Sequence, residues 1–304
     1  MTKPYTSNKN YIKSPLNYIG GKYKLLPQIL PLFPKNIHTF VDLFCGGLDV
    51  AINYKAQKFY CNDNLSYLIE LYIFLQGHSI DTTLQYIEQI ITKYALNKEN
   101  AQGYNALRAD YNETKSPLNL FVLIAFGFNH QIRFNSAHKF NTPFGKNRSS
   151  FNAKMRQNLI AFTQALQHKN MQFFKLDFTE ALKNIPLNTQ SFVYADPPYL
   201  IAQGTYNDGK RGFSGWNEKL ESKLLCALKE LHDKGIKFAL SNVSSHKDRE
   251  NTVLTQWAEK CGFNLHFLSM DYTNANYQAK HKDKSKTCEV LITNYKAEDA
   301  FYRQ

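Results

Sequence analysis

The sequence has few cysteines and no pattern of metal ligands. Its five cysteines are widely spaced and include no C-x-x-C pair, which argues against a zinc ribbon or a dithiol redox couple. The nine histidines are scattered, and none belongs to an H-E-x-x-H motif. We therefore expect no bound metal ion. We expect the following thiols to be free and mostly buried: Cys45, Cys61, Cys226, Cys261 and Cys288.

Long apolar segments are also missing. No apolar run is long enough to span a bilayer as a helix. The first 17 residues are polar with scattered lysines, and they lack the apolar core of a signal peptide. These absences predict a cytoplasmic protein that does not associate with a membrane.

Acidic residues are outnumbered by basic ones. The chain has 25 Asp and Glu against 37 Lys and Arg, which gives a formal net charge of +12. Such an excess favours a polyanionic partner such as a nucleic acid, although it says nothing about sequence specificity. With 304 residues, of which 43% are hydrophobic, the chain is typical of a globular protein with one or two domains.

Apolar, β-rich segments alternate with helical ones along much of the chain. Strands are predicted at residues 39–44, 58–61, 171–176, 191–195 and 237–240, and helices at residues 48–56, 65–75 and 219–234. This alternation predicts an α/β fold, with a parallel sheet joined by crossover helices. Two further strands, at residues 263–271 and 287–293, predict a closing antiparallel hairpin. Between them, the lysine-rich residues 280–286 are interpreted as a solvated loop.

A long interruption separates the second and third predicted strands. Residues 76–167 exceed what a crossover requires, so we interpret them as an inserted domain. The first part of the insertion has the amphipathic periodicity of helices. Residues 129–150 (NHQIRFNSAHKFNTPFGKNRSS) are instead polar, basic and aromatic, with Asn, Pro and Gly residues that favour turns. They predict an exposed loop or hairpin.

The tetrapeptide Asp196-Pro197-Pro198-Tyr199 directly follows the predicted strand SFVYA. Two prolines cannot continue a central strand, so the chain must leave the sheet at the edge where ligands of open α/β sheets bind. The Asp196 carboxylate and the Pro197 carbonyl can accept both hydrogens of a planar amino group such as adenine N6, which directs the nitrogen lone pair towards an electrophile. Tyr199 offers an aromatic face for the base. The alternative interpretation is a plain Asp-Pro turn after a buried strand.

Glycines follow the first predicted strand in FVDLFCGG, residues 40–47. They allow a ligand to approach the backbone at the start of a helix, although the spacing is not that of G-x-G-x-x-G. Asp63 follows the second strand about 20 residues after Asp42, where α/β nucleotide binders place an acid on ribose hydroxyls. Together with Asp177 and Asp196, these residues put an acid at the end of four successive strands. The pattern predicts a cofactor site.

The N-terminal motif PLNYIGGK, residues 15–22, has features of a phosphate-binding loop. A P-loop requires G-x-x-x-x-G-K followed by Ser or Thr, whereas here Tyr23 follows Lys22 and the first glycine is missing. We therefore reject a nucleoside triphosphatase. The Gly-Gly turn, with its aromatic residue and its lysine, either lines a cofactor pocket or is a turn without a ligand.

Taken in order, these motifs resemble those of the Dam-type family of DNA adenine-N6 methyltransferases. The family pattern is aromatic-x-G-G-K, D/E-x-F-x-G, N-D, an inserted domain, an acid after the third strand, and D-P-P-Y. This sequence has YIGGK, DLFCG, ND, the insertion, Asp177 and DPPY, and its EVLITNY resembles the last strand of the family. The segments FNHQIRFN and FNTPFG resemble the family's DNA-contacting hairpin.

The resemblance implies functional roles for individual residues. The S-adenosyl-L-methionine contacts would be Tyr18, Lys22, Asp63 and Asp196, with Asp42, Phe44, Gly46 and Asp177 as further candidates. The catalytic motif would be Asp196, Pro197, Pro198 and Tyr199. The DNA contacts would be Phe128, Arg133, Asn135 and Pro143, with Arg133 as the candidate reader of a base.

The resemblance also implies an architecture and a reaction. We expect a Rossmann-like methyltransferase sheet with a C-terminal antiparallel hairpin and an inserted, mainly helical target-recognition domain. Residues 1–75 and 168–304 would form the catalytic domain, and residues 76–167 the inserted domain. A methyl group would pass from S-adenosyl-L-methionine to adenine N6 in double-stranded DNA, by base flipping and in-line transfer. GATC is the leading candidate site, a cognate restriction endonuclease could share it, and no obligate protein partner is implied.

Two positions depart from the family pattern. Leu48 stands where the family usually has glycine, and Asn17 stands where GATC enzymes often have a lysine that helps to read the guanine before the adenine. Other functions stay open: methylation of cytosine N4 or of a protein glutamine, and catalytically silent DNA binding. Asp rather than Ser or Asn at position 196 favours adenine as the target.

Overall fold

The computed structural model describes residues 11–201, 215–269 and 287–297. The strands in these ranges are β1 (Thr39–Asp42), β2 (Lys58–Asn62), β3 (Met171–Phe174), β4 (Ser191–Ala195), β5 (Lys237–His246), β6 (Arg249–Glu250), β7 (Asn264–Leu268) and β8 (Thr287–Thr293). The α-helices are α1 (Leu26–Ile29), α2 (Asp49–Asn53), α3 (Ser66–Gly77), α4 (Ile80–Lys93), α5 (Ala101–Thr114), α6 (Pro117–Phe126), α7 (Ala153–Gln167), α8 (Phe178–Asn184), α9 (Glu218–Asp233) and α10 (Thr252–Lys260).

The strands form one mixed, mostly parallel sheet. Their order is β3-β2-β1-β4-β5-β8-β7, and the short strand β6 pairs with β5. Strands β1 to β5 run parallel, whereas β8 is antiparallel to both β5 and β7. The strand order reverses between β1 and β4, and crevices at such switch points bind ligands in open α/β sheets. The register pairs Asp42 with Tyr194, so the loops after β1 and β4 leave the sheet side by side.

The α/β fold and its closing antiparallel hairpin are confirmed. Strands β4 and β8 have the bounds that the sequence predicts. Strand β5 is longer than predicted and continues to His246, because its polar residues are buried and hydrogen bonded. Strand β7 ends at Leu268. The loop predicted at residues 280–286 lies outside the described residues.

Successive side chains of each strand point to opposite faces of the sheet and pack into two buried hydrophobic clusters, one on each face. In β4, Phe192 and Tyr194 belong to the cluster on the first face, whereas Val193 and Ala195 belong to the cluster on the second. We call these the first-face and second-face clusters. The first-face cluster takes in the N-terminal segment and helices α1 to α7, and the second-face cluster takes in α8, α9 and α10.

Residues 76–167 form helices α4 to α7 and an irregular segment before α7. Three of these helices have a polar N-cap whose side chain accepts a backbone N–H: Ser79 in α4, Asn100 in α5 and Asn152 in α7. The helical character predicted from the sequence is present. The apolar side chains of these helices belong to the same first-face cluster as those of β1 and β2. The segment is therefore continuous in packing with the sheet.

The cysteines are free, but the prediction that most are buried is wrong. Cys45 and Cys61 are buried in the sheet region, Cys261 and Cys288 are partly exposed, and Cys226 is exposed on helix α9. The reason is amphipathicity, since Cys226 lies on the solvent face of α9, whose buried side chains include Leu224, Leu225 and Leu228. None of the described helices combines the length and the apolar character needed to cross a bilayer.

Candidate active site

The loops at the carboxyl edge of the sheet are braced against one another. Asn62, the last residue of β2, donates its amide N–H groups to the carbonyl oxygens of Leu43 (3.1 Å) and Leu176 (3.0 Å). Its own side-chain oxygen accepts the N–H of Leu176 at 3.0 Å. One buried amide thus ties the ends of three strands together, which fixes the loops that carry the predicted cofactor residues.

Asp63 holds the glycine loop that follows β1. Its Oδ2 accepts the backbone N–H of Gly46 at 2.9 Å, and its Oδ1 accepts that of Leu65 at 2.9 Å. Burial raises the pKa of Asp63, and these two hydrogen bonds work against the rise. Each oxygen keeps a further lone pair for a ligand. Asp63, which the sequence predicts to bind ribose hydroxyls, therefore also fixes the conformation of the glycine loop after β1.

Gly46 is required where the aromatic ring of Tyr18 packs on the loop. Its φ of +44° lies in the left-handed region. A Cβ atom at this position would lie 2.7 Å from Cε1 of Tyr18, well inside van der Waals contact. Leu48, which stands where the family usually has glycine, also has a left-handed φ, of +62°. This buried leucine adopts the conformation that a glycine would adopt without strain, at a typical cost of about 1–2 kcal/mol.

Lys22 enters the site from the N-terminal Gly-Gly turn. Its Nζ lies 2.8 Å from Oδ2 of Asp196 and donates a hydrogen bond of 2.7 Å to the carbonyl oxygen of Gly20. The same ammonium lies 5.1 Å from the centroid of the Tyr199 ring. Lys22 is only 5% exposed, so the ion pair is shielded from water. Two motifs separated by more than 170 residues in the sequence meet at this contact.

Asp196 leaves the sheet directly after β4, as the double proline predicts. Its Oδ1 accepts the hydroxyl of Tyr199 at 3.2 Å, while its Oδ2 faces Lys22. Burial raises the pKa of Asp196, whereas Lys22 and Tyr199 lower it. The carboxylate is thus fixed in orientation by two partners of its own chain, and its remaining lone pairs are available to a substrate amino group.

Asp42, the last residue of β1, carries an unsatisfied acceptor. Its Oδ1 is buried and has no hydrogen-bond partner among the described residues. Burial and the nearby charge of Asp196 raise the pKa of Asp42 well above its usual value. A buried acceptor without a donor typically costs about 1–3 kcal/mol. S-adenosyl-L-methionine carries ammonium and hydroxyl donors, so the residues at this edge fit that cofactor.

Phe44 and Asp177 differ in their relation to the site. Phe44 packs against Phe178 and Trp216, with ring centroids 5.5 and 5.8 Å away. The three rings form an aromatic wall on the second-face side, and neither Phe178 nor Trp216 was among the residues predicted from the sequence. Asp177 is exposed and caps helix α8, accepting the backbone N–H of Thr179 at 2.9 Å. Its observed contact is therefore that of a helix N-cap.

Three further buried acids were missed by the sequence analysis: Asp49, Glu221 and Glu289. Asp49 begins helix α2 and accepts the N–H of Ser14 at 3.4 Å, and burial raises its pKa to about 6. Glu289 lies in β8 and is only 6% exposed. Glu289 directly precedes the apolar run VLI in a predicted strand, and an acid at such a place was a signal that could have pointed to it. Among the described residues, no three His, Cys, Asp or Glu side chains converge as metal ligands.

Residues 127–145 form an antiparallel hairpin, which we call the 127–145 hairpin. Bridges join Gly127 to Phe144 and Phe134 to Phe140. The predicted DNA contacts all lie on it. At its base, Phe128 donates its N–H to the carbonyl of Pro143 at 2.7 Å. Arg133 lies in the first arm, and its buried Nε has no hydrogen-bond partner among the residues that the structure describes. Asn135 closes the tip, since its side-chain oxygen accepts the N–H groups of Ala137 and Lys139 at 3.0 and 2.9 Å.

Helix α5 supports the second arm of the 127–145 hairpin. Asn112 accepts the N–H of Phe140 at 2.7 Å and donates to its carbonyl at 3.1 Å. Tyr104 and Arg108 donate to the carbonyl of Thr142 at 2.9 and 3.2 Å. The three helical residues are spaced at i, i+4 and i+8, so one face of α5 holds the hairpin backbone in place. Sequence reasoning did not identify this support.

The fold and the site define the class of protein. A sheet with this strand order, with buried acids at its carboxyl edge and D-P-P-Y after β4, is typical of methyltransferases that act on amino groups. The chain matches the family described as D12 class N6 adenine-specific DNA methyltransferase over residues 18–296. It belongs to this family.

Relatives with assigned names support the same placement. The chain is 48% identical over 290 residues to modification methylase StsI of Streptococcus sanguinis, and 46% identical over 286 residues to type II methyltransferase M.FokI of Planomicrobium okeanokoites. These matches cover 95% and 94% of this chain but only 44% and 43% of the relatives, so the chain spans less than half of their length. It is 27% identical over 196 residues to the DNA adenine methylase of Escherichia coli, covering 63% of this chain and 66% of that protein.

Proposed function

We propose that the protein is a site-specific DNA methyltransferase that transfers a methyl group from S-adenosyl-L-methionine to adenine N6 in double-stranded DNA. The observation that carries this proposal is the fixed geometry of Asp196. Its carboxylate follows β4 at the switch point of the sheet and is oriented by Lys22 and Tyr199. The family of the chain and its net charge of +12 agree with DNA as the substrate.

Cofactor binding is assigned to the carboxyl edge of the sheet. Tyr18, Asp42, Gly46 and Asp63 line the loops there, and the unpaired Oδ1 of Asp42 supplies an acceptor for a donor group of the ligand. We assign the aromatic wall around Phe44 to the adenine ring of the cofactor. Asp177 stays a weaker candidate because it already caps helix α8. When bound, S-adenosyl-L-methionine supplies a methyl group on a positively charged sulfur, which is a good leaving group.

The protein's contribution to the reaction is orientation and electrostatics. Asp196 and the Pro197 carbonyl accept the two N6 hydrogens, and this turns the nitrogen lone pair towards the incoming methyl carbon. Positive charge would develop on N6 as its bond to the methyl carbon forms and the carbon–sulfur bond of the bound cofactor breaks, and the Asp196 carboxylate would stabilise that charge until an N6 proton passes to solvent. The ring of Tyr199 stacks on the flipped adenine. Pro198 restricts the backbone of the turn that joins Asp196 to Tyr199. The buried surroundings of Lys22 and Asp196 exclude water.

We assign target recognition to residues 76–167 and to the 127–145 hairpin in particular. Arg133 would read a guanine, and Phe128, which is 36% exposed, would occupy the gap that the flipped base leaves. Asn135 and Pro143 would help to set the position of the hairpin arms against the groove. Residues 1–75 and 168–304 would then form the catalytic domain. The support of the hairpin by helix α5 favours a preorganised reader.

The target is proposed to be a short site that contains adenine, with GATC as the first sequence to test. Within GATC, the guanine before the adenine is the base with the least support, because Asn17 replaces the lysine often found in GATC enzymes. Relatives named modification methylase and type II methyltransferase favour a role in restriction and modification. A cognate restriction endonuclease that shares the site is proposed as a functional partner, and no obligate protein partner is proposed for the reaction itself.

Long-read sequencing of DNA from a methylase-free host that expresses the chain tests this proposal. We expect N6-methyladenine at one short motif, and unmodified DNA from the matched Asp196→Asn strain. N4-methylcytosine in the reads would instead support the cytosine alternative. If no modification appears, calorimetric titration with S-adenosyl-L-methionine decides the outcome, because a chain that binds DNA but no cofactor is a silent DNA-binding protein.

A further inference from the structure

Glu289 is a buried acid on the same face of the sheet as Lys22. In β8, Val290 and Ile292 belong to the second-face cluster, whereas Leu291 belongs to the first-face cluster. Strand alternation therefore places Glu289 on the face of Leu291. That face also receives Tyr194 and the N-terminal segment from which Lys22 extends. A carboxylate there, 6% exposed, is costly unless a positive charge or hydrogen bonds compensate it.

The strand register brings Glu289 to the end of the sheet where Asp196 lies. Leu240 in β5 pairs with both Ala195 and Ile292, which places these two residues at the same level of the sheet. Asp196 lies one residue beyond Ala195, towards the carboxyl edge of the sheet. Because β8 is antiparallel, Glu289, which precedes Ile292 by three residues, lies towards the same edge. Consistent with this position, burial raises the pKa of Glu289, the charge of Lys22 lowers it, and the charge of Asp196 raises it further. The charge of Lys22 also acts on Asp49, but that carboxylate already accepts the backbone N–H of Ser14. Lys22 thus lies within electrostatic reach of Glu289, while it pairs directly with Asp196.

A second carboxylate answers a requirement of the proposed reaction. In the described structure, Nζ of Lys22 binds Oδ2 of Asp196 at 2.8 Å. During methyl transfer, Asp196 keeps lone pairs free for the substrate amino group, but the Lys22 ammonium neutralises part of its negative charge, so an acid that draws on the same ammonium leaves more of that charge to the N6 hydrogens. A lysine ammonium has three donors and a flexible stem, so it can be shared between two acceptors.

We propose that Glu289 is a positioning residue that acts through Lys22. In the described structure Lys22 pairs with Asp196, and Glu289 becomes a second acceptor for that ammonium when Asp196 engages the target amino group. This inference rests on the proposed function. It predicts that Glu289 contributes mainly to the transfer step, because the sharing of the Lys22 charge matters only once Asp196 holds the substrate amino group.

A double-mutant cycle with Lys22 tests the inference. Glu289→Gln keeps the size of the side chain and removes its charge. We expect it to lower kcat by roughly 10- to 100-fold, as does the loss of a partner that orients an active-site group. The KM for DNA and the Kd for S-adenosyl-L-methionine should change much less than kcat. In a Lys22→Met background, the same substitution should cause little further loss. Glu289→Asp should restore part of the kcat.

Glu221→Gln is the matched control. Glu221 is another fully buried glutamate, but it binds Trp216 (2.6 Å) and Asn242 (2.8 Å), so its effect should add to that of Lys22→Met. Additive losses for Glu289→Gln and Lys22→Met, or an unchanged kcat in folded Glu289→Gln, would overturn the proposal. If Glu289→Gln does not fold, the cycle is run with Glu289→Asp, whose smaller loss of kcat should likewise disappear in the Lys22→Met background, and a loss that adds to that of Lys22→Met would overturn the proposal. Failure of the proposed function is distinguishable, because the wild-type chain would then not methylate DNA.

Discussion

The side-chain amide of Asn17 donates a hydrogen bond of 3.1 Å to the backbone carbonyl of Asn129. Asn17 directly precedes Tyr18 at the cofactor edge, and Asn129 lies at the base of the 127–145 hairpin, with a left-handed φ of +52°. The contact therefore joins the proposed cofactor site to the proposed reader of DNA. Because its amide is bonded to Asn129, Asn17 helps to position the hairpin. It stands where GATC enzymes often have a lysine that helps to read a guanine.

Replacing Asp196 should abolish methyl transfer while leaving the fold and DNA binding largely intact. In Asp196→Ala, no carboxylate remains to orient N6 or to stabilise the charge that develops on it. We expect the single-turnover rate to fall at least ~10²-fold. The affinity for a DNA duplex should stay close to that of the wild type, and circular dichroism should confirm the fold. Near-normal turnover by this variant would rule out Asp196 as the carboxylate that orients N6 and stabilises its charge.

Asp63 and Lys22 should contribute to cofactor affinity more than to sequence preference. Asp63→Ala leaves the N–H groups of Gly46 and Leu65 without their acceptor, which loosens the loop proposed to bind the cofactor. Loss of such a charge-assisted contact corresponds to about 1.5–3 kcal/mol, or roughly a 10- to 100-fold rise in Kd. Titration calorimetry with S-adenosyl-L-methionine measures this for Asp63→Ala and Lys22→Ala. Asp63→Asn keeps one acceptor and should fall between wild type and Asp63→Ala. An unchanged Kd in both alanine variants would contradict the assignment.

The buried carboxyl group of Asp42 predicts an unusual dependence of stability on pH. Its pKa is raised well above 3.8 in the folded protein, so the folded state holds the proton more tightly than the unfolded chain does. The corresponding stability is present at low pH and is lost as the pH rises through the folded-state pKa. Asp42→Asn cannot ionise and keeps an oxygen for the backbone hydrogen bond from Ala51. It should therefore gain stability over the wild type as the pH rises.

Urea unfolding without cofactor at about pH 5 and about pH 8 measures this effect. The difference in unfolding free energy between Asp42→Asn and the wild type should favour the variant more strongly at the higher pH. The same variant should bind S-adenosyl-L-methionine more weakly, because it places an amide where we assign an acceptor. A difference in stability that is independent of pH would show that Asp42 is not the group that titrates.

Arg133 should contribute to sequence preference rather than to general affinity for DNA. A guanidinium that bonds to both O6 and N7 of guanine is worth about 1–3 kcal/mol of discrimination. The methylome of an Arg133→Ala strain should therefore show a relaxed preference at one position 3′ of the adenine. Lys146→Ala, which removes an exposed cation from the adjacent loop, is the control, and it should weaken binding to all sequences about equally. A variant that modifies only the wild-type motif, more slowly, would count against base reading by Arg133.

The local parts of the fold could be predicted because their signals are local. The double proline fixes the end of β4, and alternating apolar segments fix the course of the parallel strands. The end of β5 could not be found in this way. Its residues Ser241 and Asn242 are typical of loops, yet they are buried against Tyr194 (2.8 Å) and Glu221 (2.8 Å) on neighbouring elements. Partners far away in the sequence decide such cases.

The sequence by itself determined the chemical residues at the strand ends, and with them the family and the type of reaction that we propose. Only the tertiary structure decided which of those residues meet. It joins Lys22 to Asp196, places Asp63 beneath Gly46, and makes Asp177 a helix cap. It also places the buried Glu289 of β8 at the same end of the sheet as Asp196. The physical reason is that strand pairing and burial bring together side chains that are distant in the chain, and no local pattern of residue types encodes those contacts.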